Sequence, residues 1–236
     1  MLTAIIVAAG SSQRMGFDKV FAMLGDKPVV AHTLDAFERT ESVTKIILVG
    51  REDRLHELKE VVQAQNFKKV REIVAGGEHR QDSVRAGLEK LDPDAEFVAV
   101  HDAARPLITP EQIERVFKLC RAHHAAALGE AVNDTLKRAT GDCFICGSVD
   151  REGLYALQTP QIFLRKLLTE AYDSVALEKL SVTDETSAIE RLGAKIVIVP
   201  SEDFNFKITY PGDLPLAEFI LSRRQRSPND SVTAPS

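Results

Sequence analysis

Short apolar runs alternate with segments of helical periodicity along the first half of the chain. The apolar runs have the length and composition of buried strands and lie at 4–9, 45–49, 70–74 and 97–100. Between them, apolar side chains recur every three or four residues, which predicts amphipathic helices over 28–40, 53–65 and 82–91. Alternating strands and helices are typical of a mainly parallel, twisted sheet with helices on both faces. We therefore predict an α/β fold.

The second half keeps this alternation but interrupts it once. Thr109, Pro110 and Gln112 mark a helix start, with Thr as N-cap, Pro at the first helical position and Gln where a capping box places it. A strand follows at 125–132. The polar, glycine-bearing stretch 133–155 then predicts short hairpin strands that project from the core as an arm. The remaining predicted elements are helices over 164–175, 183–193 and 214–224 and strands over 195–199 and 206–208.

No repeat or linker divides the sequence. We predict a single Rossmann-like domain over 1–224, with the projecting β-arm 133–155 within it. The segment 225–236 contains Ser and Pro and lacks apolar periodicity, so we predict that this tail is disordered.

The overall charge narrows the possible partners. The chain of 236 residues carries a formal net charge of −5, with 28% charged and 44% hydrophobic residues. A general nucleic-acid or membrane-surface binder needs a dense basic field, so we expect neither partner. No apolar run approaches the roughly 20 residues of a membrane helix, and the first strand follows the start without a cationic signal region. We expect a cytoplasmic protein.

Cys143 and Cys146 form a C-x-x-C pair, which suggests either a redox pair or half of a zinc site. The sequence has no second pair to complete a zinc site, and the pair lies outside any strand-helix-strand context. We interpret it as incidental.

The end of the first strand is the strongest chemical signal. Gly10 follows the apolar run, and small polar residues lead from it to Arg14 and Lys19. Small residues let backbone N–H groups approach a phosphate, and the two cations supply charge for a triphosphate. The spacing matches neither the dinucleotide fingerprint G-x-G-x-x-G nor the Walker loop. We predict a phosphate-binding loop.

Polar residues also follow two later strands, where ligands of open α/β sheets bind. GGEHRQDSV (76–84) allows a base or ribose to lie against its glycines, with Ser83 at a helix start. HDAARP (101–106) places Asp102 where it can hold Mg²⁺ or a ribose. A purely structural ion pair between Asp102 and Arg105 is the alternative, and we assign His101 to packing.

These motifs carry a family resemblance. The loop AAGSSQRMG with Lys19 resembles the signature of the sugar-nucleotidyltransferases. Together with GGEHRQDSV and HDAARP, later strings extend the similarity in order over about 3–222: DTLKR (134–138), VDREGL (149–154), TPQ (159–161), TDE (183–185) and Lys207. The whole set resembles the 2-C-methyl-D-erythritol 4-phosphate cytidylyltransferase family.

The resemblance implies a reaction in which CTP and 2-C-methyl-D-erythritol 4-phosphate give 4-diphosphocytidyl-2-C-methyl-D-erythritol and pyrophosphate, with Mg²⁺ as cofactor. It implies that the catalytic residues are Arg14, Lys19, Lys207 and Asp102, with the metal at Asp102. The implied nucleotide-binding residues are Ala8, Ala9, Gly10, Gly77, Glu78, Ser83 and Ala103. Glu78 stands where many relatives have Asp.

The resemblance also implies an acceptor site and a homodimer. The implied substrate-binding residues are Arg105, Thr135, Arg151, Thr159 and Thr183. In this family the arms of two subunits interlock, so Thr135 and Arg151 on the arm 133–155 are expected to meet the acceptor bound to the other subunit.

One departure and three alternatives remain. The family usually has Pro-Lys-Gln where this chain has Asp18-Lys19-Val20, which puts the closed form of the loop in question. A cytidylyltransferase for ribitol 5-phosphate or another sugar phosphate is the nearest alternative. An inactive nucleotide-binding scaffold is the second, and a dehydrogenase is disfavoured because no G-x-G-x-x-G opens the first helix.

Overall fold

The computed structural model describes residues 1–10 and 16–226, with side chains up to Arg224. Arg14 lies outside the described residues, as does the part of the predicted tail from 227 to 236. The last helix continues through Arg226, two residues beyond the predicted domain boundary.

The elements alternate along most of the chain. The strands are β1 (Leu2–Ala8), β2 (Met23–Leu24), β3 (Lys27–Pro28), β4 (Val43–Gly50), β5 (Val70–Ala75), β6 (Phe97–Asp102), β7 (Ala125–Ala131), β8 (Leu136–Ala139), β9 (Ile145–Val149), β10 (Tyr155–Leu164) and β11 (Val197–Pro200). The helices are α1 (Val29–Arg39), α2 (Leu55–Ala64), α3 (Arg80–Leu88), α4 (Pro110–His123), α5 (Arg165–Leu177), α6 (Glu185–Glu190) and α7 (Asp213–Arg226). A 3₁₀ turn at Glu52–Arg54 precedes α2.

The central sheet has seven strands in the order β11-β7-β10-β6-β1-β4-β5. Strand β1 lies between β4 and β6 and is parallel to both, and β5 and β11 are also parallel to their neighbours. Only β10 is reversed, because it is antiparallel to β6 and to β7. The predicted mainly parallel sheet is therefore confirmed, and the carboxyl ends of six strands lie at one edge.

Helices cover both faces of the sheet, and the side chains of β1 alternate between them. Leu2, Ala4 and Ile6 join a core cluster with α1, α2 and α4. Ile5 and Val7 join a second cluster with α3, α5 and α6. Because both faces are buried, β1 is apolar at nearly every position rather than alternating with polar residues. In the described part of the chain, no helix has the length and hydropathy to cross a membrane.

The predicted start of α4 is confirmed. The Thr109 side chain accepts the Gln112 backbone N–H at 3.3 Å, and the Gln112 side chain accepts the Thr109 N–H at 3.1 Å. Pro110 occupies the first turn, where its missing N–H has no helical partner to lose. His124 ends the helix in the left-handed conformation with φ 70°.

Two segments differ from their predicted secondary structure. No strand was predicted at Tyr155–Leu164, yet β10 lies inside the sheet between β6 and β7. Its period is interrupted by Pro160 and by a register shift between Leu157 and Gln161, so the residues do not resemble an interior strand. The predicted strand 206–208 is wrong: this segment is not in a sheet, and its Ile208 N–H donates to the Ala104 carbonyl in the loop after β6, at 2.8 Å.

The predicted hairpin is present within 133–155. Strands β8 and β9 pair only with each other, antiparallel, and form a separate two-stranded sheet. Phe144 and Ile145 near its turn are 70% and 71% exposed. Cys143 and Cys146 are exposed free thiols in the same region, whereas Cys120 is buried in α4. The hairpin thus presents apolar side chains to its surroundings.

Candidate active site

The loops after β1, β4 and β5 are pressed together at the carboxyl edge of the sheet. The Gly76 N–H donates to the Gly50 carbonyl at 2.7 Å. A Cβ added at Gly76 would overlap the Ser83 hydroxyl and come within 2.8 Å of the Ala9 Cβ. Gly76 is therefore required for this close approach. The structure brings the predicted residues Ala9 and Ser83 to one place.

The other predicted nucleotide residues surround this contact. Ala8 is the buried last residue of β1, and Gly10, Gly77 and Glu78 are exposed at the surface of the loops. Ser83 is buried in α3 and its hydroxyl donates to the His79 carbonyl at 3.3 Å. The exposed loops leave backbone N–H groups accessible beside a buried strand end.

Ala103 lies next to these loops on the β6 side. Its N–H donates to the Val7 carbonyl at 2.9 Å, and its carbonyl accepts the Thr33 hydroxyl at 2.8 Å. The backbone after β6 is therefore fixed against β1 and α1.

Asp102, at the end of β6, is surrounded by three cations. Lys207 Nζ donates to Asp102 Oδ2 at 2.9 Å, and Arg80 Nε donates to Oδ1 at 3.1 Å. Arg105 Nε lies 3.6 Å from Oδ2. Burial alone would raise the pKa of Asp102, but the charges of Arg80, Lys207 and Arg105 outweigh it and hold the pKa well below its usual range. Asp102 is therefore ionised at neutral pH.

A chain of hydrogen bonds fixes the backbone of Asp102. Its N–H donates to Thr159 Oγ1 at 3.1 Å, and Thr159 Oγ1 lies 3.0 Å from His101 Nδ1. Burial lowers the pKa of His101 to about 3, so the imidazole is neutral. Its Nε2 faces the Arg105 carbonyl oxygen at 3.5 Å, and with the proton on Nε2 the Nδ1 atom accepts the Thr159 hydroxyl. The His101 ring packs against Phe37 with centroids 5.0 Å apart. This agrees with the packing role predicted for His101.

Arg105 extends the cluster toward the segment after β11. Its Nη1 donates to the Asn205 carbonyl at 2.8 Å, and burial lowers its pKa. Asn205 Nδ2 in turn donates to the Gln158 side chain at 2.9 Å and to the Thr159 carbonyl at 2.8 Å. The segment that carries Lys207 is thereby joined to β10 and to the loop after β6.

Arg80 connects Asp102 to a buried acid. Arg80 Nη1 and Nη2 donate to the two carboxylate oxygens of Glu185 at 2.7 and 3.0 Å, and the Tyr172 hydroxyl donates to Glu185 Oε1 at 2.9 Å. Burial would lower the pKa of Arg80, but the charges of Glu185 and Asp102 raise it above its ordinary value. Burial and the Glu185 charge raise the pKa of Tyr172. Hydrogen bonds therefore connect Tyr172, Glu185, Arg80 and Asp102 in one continuous network.

Lys19 is half-buried in a turn, with its carbonyl accepting the Ala22 N–H at 3.3 Å. The unusual Asp18 accepts the Val20 N–H at 3.2 Å. Its Oδ2 also lies 3.7 Å from Arg51 Nη1 and 3.9 Å from Arg54 Nε. Asp18 therefore has local partners that hold the turn without the proline typical of the family.

The predicted acceptor residues divide into two groups. Arg105 and Thr159 belong to the Asp102 cluster, and Thr183 lies just before α6 with its hydroxyl 3.2 Å from that of Ser187. Thr135 and Arg151 are on the hairpin, where the Arg151 guanidinium donates to the Asn133 carbonyl. Within the described residues, neither of these two contacts the Asp102 cluster.

The site offers one possible metal ligand, Asp102, and not a complete set of protein ligands among the described residues. Among the residues that the structure describes, no group of three His, Cys, Asp or Glu side chains converges as a metal site. Asp102 is a single hard carboxylate, and Mg²⁺ is commonly held by one or two carboxylates together with substrate phosphates. Asp102, whose two oxygens also accept hydrogen bonds from Arg80 and Lys207, therefore offers one carboxylate to a metal that arrives with a phosphate ligand and is not held by a protein cage.

The sequence analysis gave no role to four residues of this network: Arg80, Tyr172, Glu185 and Asn205. Arg80 and Glu185 stand within the quoted strings GGEHRQDSV and TDE. Each stands at the first position of a helix, and a charged residue at that position was the available signal. Tyr172 and Asn205 gave no signal, because nothing in their neighbouring residues indicates which distant group they contact.

The fold and the site together define the class of α/β proteins that bind a phosphate-bearing ligand at the carboxyl edge of the sheet. An open α/β sheet with a glycine-lined loop edge, a buried carboxylate and several cations beside it is suited to a polyphosphate substrate. The family model of 2-C-methyl-D-erythritol 4-phosphate cytidylyltransferase (IspD) matches residues 2–223, and the chain belongs to this family.

Individual relatives align with this chain over almost the whole length of both proteins. The chain is 39% identical over 226 residues to the 2-C-methyl-D-erythritol 4-phosphate cytidylyltransferase of Halalkalibacterium halodurans, covering 95% of this chain and 98% of that protein. It is 40% identical over 225 residues to the protein of that name from Caldanaerobacter subterraneus, covering 94% and 99%. The crystal structure of 4-diphosphocytidyl-2C-methyl-D-erythritol synthase from Anaerococcus prevotii matches with a TM-score of 0.83 at 31% identity, covering 94% of this chain and 96% of that one.

Proposed function

We propose that this protein transfers the cytidylyl group of CTP to 2-C-methyl-D-erythritol 4-phosphate, giving 4-diphosphocytidyl-2-C-methyl-D-erythritol and pyrophosphate in the non-mevalonate route to isoprenoids. One observation carries the proposal: in a chain of this family, the ionised Asp102 lies with Lys207 and Arg105 beside the loop edge after β1. Phosphoryl transfer is catalysed mainly by positioned positive charge, and carboxylates commonly hold the metal ion.

The proposed chemistry needs positioned charge more than a general base. The acceptor phosphate is already an anion at neutral pH and can attack the α-phosphorus of CTP directly. Arg14, Lys19 and Lys207 face the triphosphate and stabilise charge on the α-phosphoryl oxygens and the leaving pyrophosphate. The loops at Ala8, Ala9, Gly10, Gly77, Glu78, Ser83 and Ala103 hold cytosine and ribose.

The acceptor lies on the other side of Asp102 in this proposal. Arg105, Thr159 and Thr183 bind it from the same subunit, and Thr135 and Arg151 bind it from the arm of a second subunit. The exposed Phe144 and Ile145 on the hairpin support an interface there, because exposed apolar clusters mark interaction surfaces. We also place the protein in the cytoplasm.

Mg²⁺ is the proposed cofactor, with Asp102 as its protein ligand. When bound, it supplies positive charge that polarises the phosphoryl oxygens. Lys207 donates to the same carboxylate, so its charge lies beside the proposed metal position.

The proposal is tested by measuring pyrophosphate release from purified protein with CTP, Mg²⁺ and one acceptor, omitting each component in turn. We expect release with 2-C-methyl-D-erythritol 4-phosphate and none when CTP, Mg²⁺ or the acceptor is left out. Release with ribitol 5-phosphate instead would assign the protein to the alternative acceptor. No release with either sugar phosphate would contradict the proposal and favour an inactive nucleotide-binding scaffold.

A further inference from the structure

Arg80 stands between the two halves of the proposed site. It is the first residue of α3, directly after the loop proposed to bind the nucleotide. Its main partner, Glu185, is the first residue of α6 and follows Thr183, which is proposed to bind the acceptor. Asp102 lies between them at the end of β6. One side chain thus links three elements that carry different parts of the site.

The contacts of Arg80 fix its orientation. The guanidinium is a rigid plane, so two hydrogen bonds from Nη1 and Nη2 to Glu185 also fix the direction of Nε–H. That third donor bonds to Asp102 Oδ1 at 3.1 Å. Glu185 is itself immobile, because its side chain is 0% exposed and accepts the Tyr172 hydroxyl from α5.

Stability alone is a poor explanation for this network. The desolvation of two buried charges offsets most of their attraction, so a buried ion pair is weak evidence for a stabilising role. Packed apolar residues would fill the same space between α3, α5 and α6. A fixed hydrogen bond to Asp102 is the property that an apolar replacement lacks.

We propose that Arg80 is a positioning residue: held by Glu185, it fixes the carboxylate of Asp102 and couples the nucleotide side of the site at α3 to the acceptor side at α6. This inference rests on the proposed function. It assigns Arg80 no contact with substrate, because its donors described here are directed at Glu185 and Asp102. Lysine at this position keeps the charge but loses the planar fork that sets the direction of the bond.

The test compares Arg80→Lys with Arg85→Lys on the same helix. Arg85 is exposed and, among the described residues, its ion pairs are the long ones to Glu89 and Asp173, at 4.0 and 3.8 Å. We expect Arg80→Lys to lower kcat per folded molecule about tenfold to a hundredfold, the range for a catalytic group displaced by about 1 Å. The KM for CTP should change less than about threefold, and Arg85→Lys should match wild type.

A second variant and a second background separate positioning from structure. Glu185→Asp keeps the charge but retracts the carboxylate, so the same loss of kcat is expected, and the proposal stays testable if one variant does not fold. In an Asp102→Asn background, Arg80→Lys should cost less than about threefold more, because both changes act on one carboxylate. A full additional loss there would overturn the proposal.

The outcomes also separate this inference from the proposed function. Wild-type protein that does not release pyrophosphate contradicts the function itself. Active wild type, with Arg80→Lys and Glu185→Asp retaining wild-type kcat per folded molecule, overturns the positioning role and leaves the function intact. Melting curves and active-site counts supply the folded fraction in each case.

Discussion

At the scale of single residues, the site depends on one ionised carboxylate and the cations around it. Asp102 has hydrogen bonds from Lys207 and Arg80 and a third cation nearby in Arg105. The cations hold its charge in a buried position, and the charge in turn keeps the cations in the site. Removing the Asp102 carboxylate takes away the anion that these cations share, which is costlier than the ion pairs themselves are stabilising.

The first residue-scale prediction concerns Lys19 and Lys207. Alanine at either position should lower kcat about a hundredfold or more, as for loss of a preorganised electrostatic contact to the transition state. Steady-state kinetics with CTP and the acceptor measure this, with Lys118→Ala on the exposed surface of α4 as the control. Near wild-type kcat for Lys19→Ala would show that Lys19 does not face the reacting phosphates.

At the scale of elements, caps and loops place the functional side chains. Helix α4 begins at a full capping box, and α6 begins at Asp184, whose carboxylate accepts the Ser187 N–H at 3.0 Å. That carboxylate also accepts the Gln161 side chain from β10 at 3.0 Å. The start of α6, and with it Thr183 and Glu185, is thus tied to the same strand that supplies Thr159.

The element-scale prediction uses the cap of α4. Thr109→Ala removes the side-chain acceptor for the Gln112 N–H and should lower the free energy of unfolding by about 1 kcal/mol. Urea denaturation followed by circular dichroism measures the change. Thr109→Ser keeps the acceptor and is expected to stay close to wild type, and an equal loss for both variants would contradict the capping explanation.

At the scale of the whole molecule, a single chain holds most but not all of the proposed acceptor site. Arg105, Thr159 and Thr183 lie at the carboxyl edge of the sheet, whereas Thr135 and Arg151 are on the separate hairpin sheet. The proposed homodimer supplies the missing contacts by placing the arm of one subunit over the other. Symmetry then gives two equivalent shared sites.

The dimer is tested by mixing inactive variants. In a mixed dimer of Lys19→Ala and Arg151→Ala subunits, one of the two sites has both residues intact. Random exchange should therefore restore up to about a quarter of wild-type activity, since half of the dimers are mixed. Mixing Lys19→Ala with Lys207→Ala is the control and should restore none, because both residues belong to the same subunit's half of the site. Absence of recovery in the first mixture, despite subunit exchange, would contradict the shared site.

Much of the fold and of the site could be predicted because the signals are local. Neighbouring residues alone predict the strands β1, β4 and β6 from their apolar runs and the helix cap at Thr109. The structure confirms both. The loop edge followed from the rule that ligands bind beyond the carboxyl ends of parallel strands. The match of ordered motifs to one family extended that reading to named residues.

The strand β10 could not be predicted, because its place in the sheet depends on partners far away in sequence. Its residues Gln161–Leu164 pair with Val100–Phe97 on one side, and Gln161–Phe163 pair with Ala127–Ala125 on the other. Pro160 also makes the sequence look unlike an interior strand, because proline cannot donate a backbone hydrogen bond. Conversely, 206–208 has strand-like composition, but the Ile208 N–H donates to the Ala104 carbonyl in the loop after β6 instead of to a strand.

The sequence by itself determined the α/β class, the order of most elements and the family, because periodicity, caps and motifs are encoded by residues close together in the chain. Only the tertiary structure decided that Arg80 and Glu185, 105 residues apart, form a buried ion pair that reaches Asp102, and that Asn205 joins Arg105 to β10. Burial and long-range contacts set the charge and the direction of these groups. Both depend on residues far apart in the sequence, so no single segment can predict them.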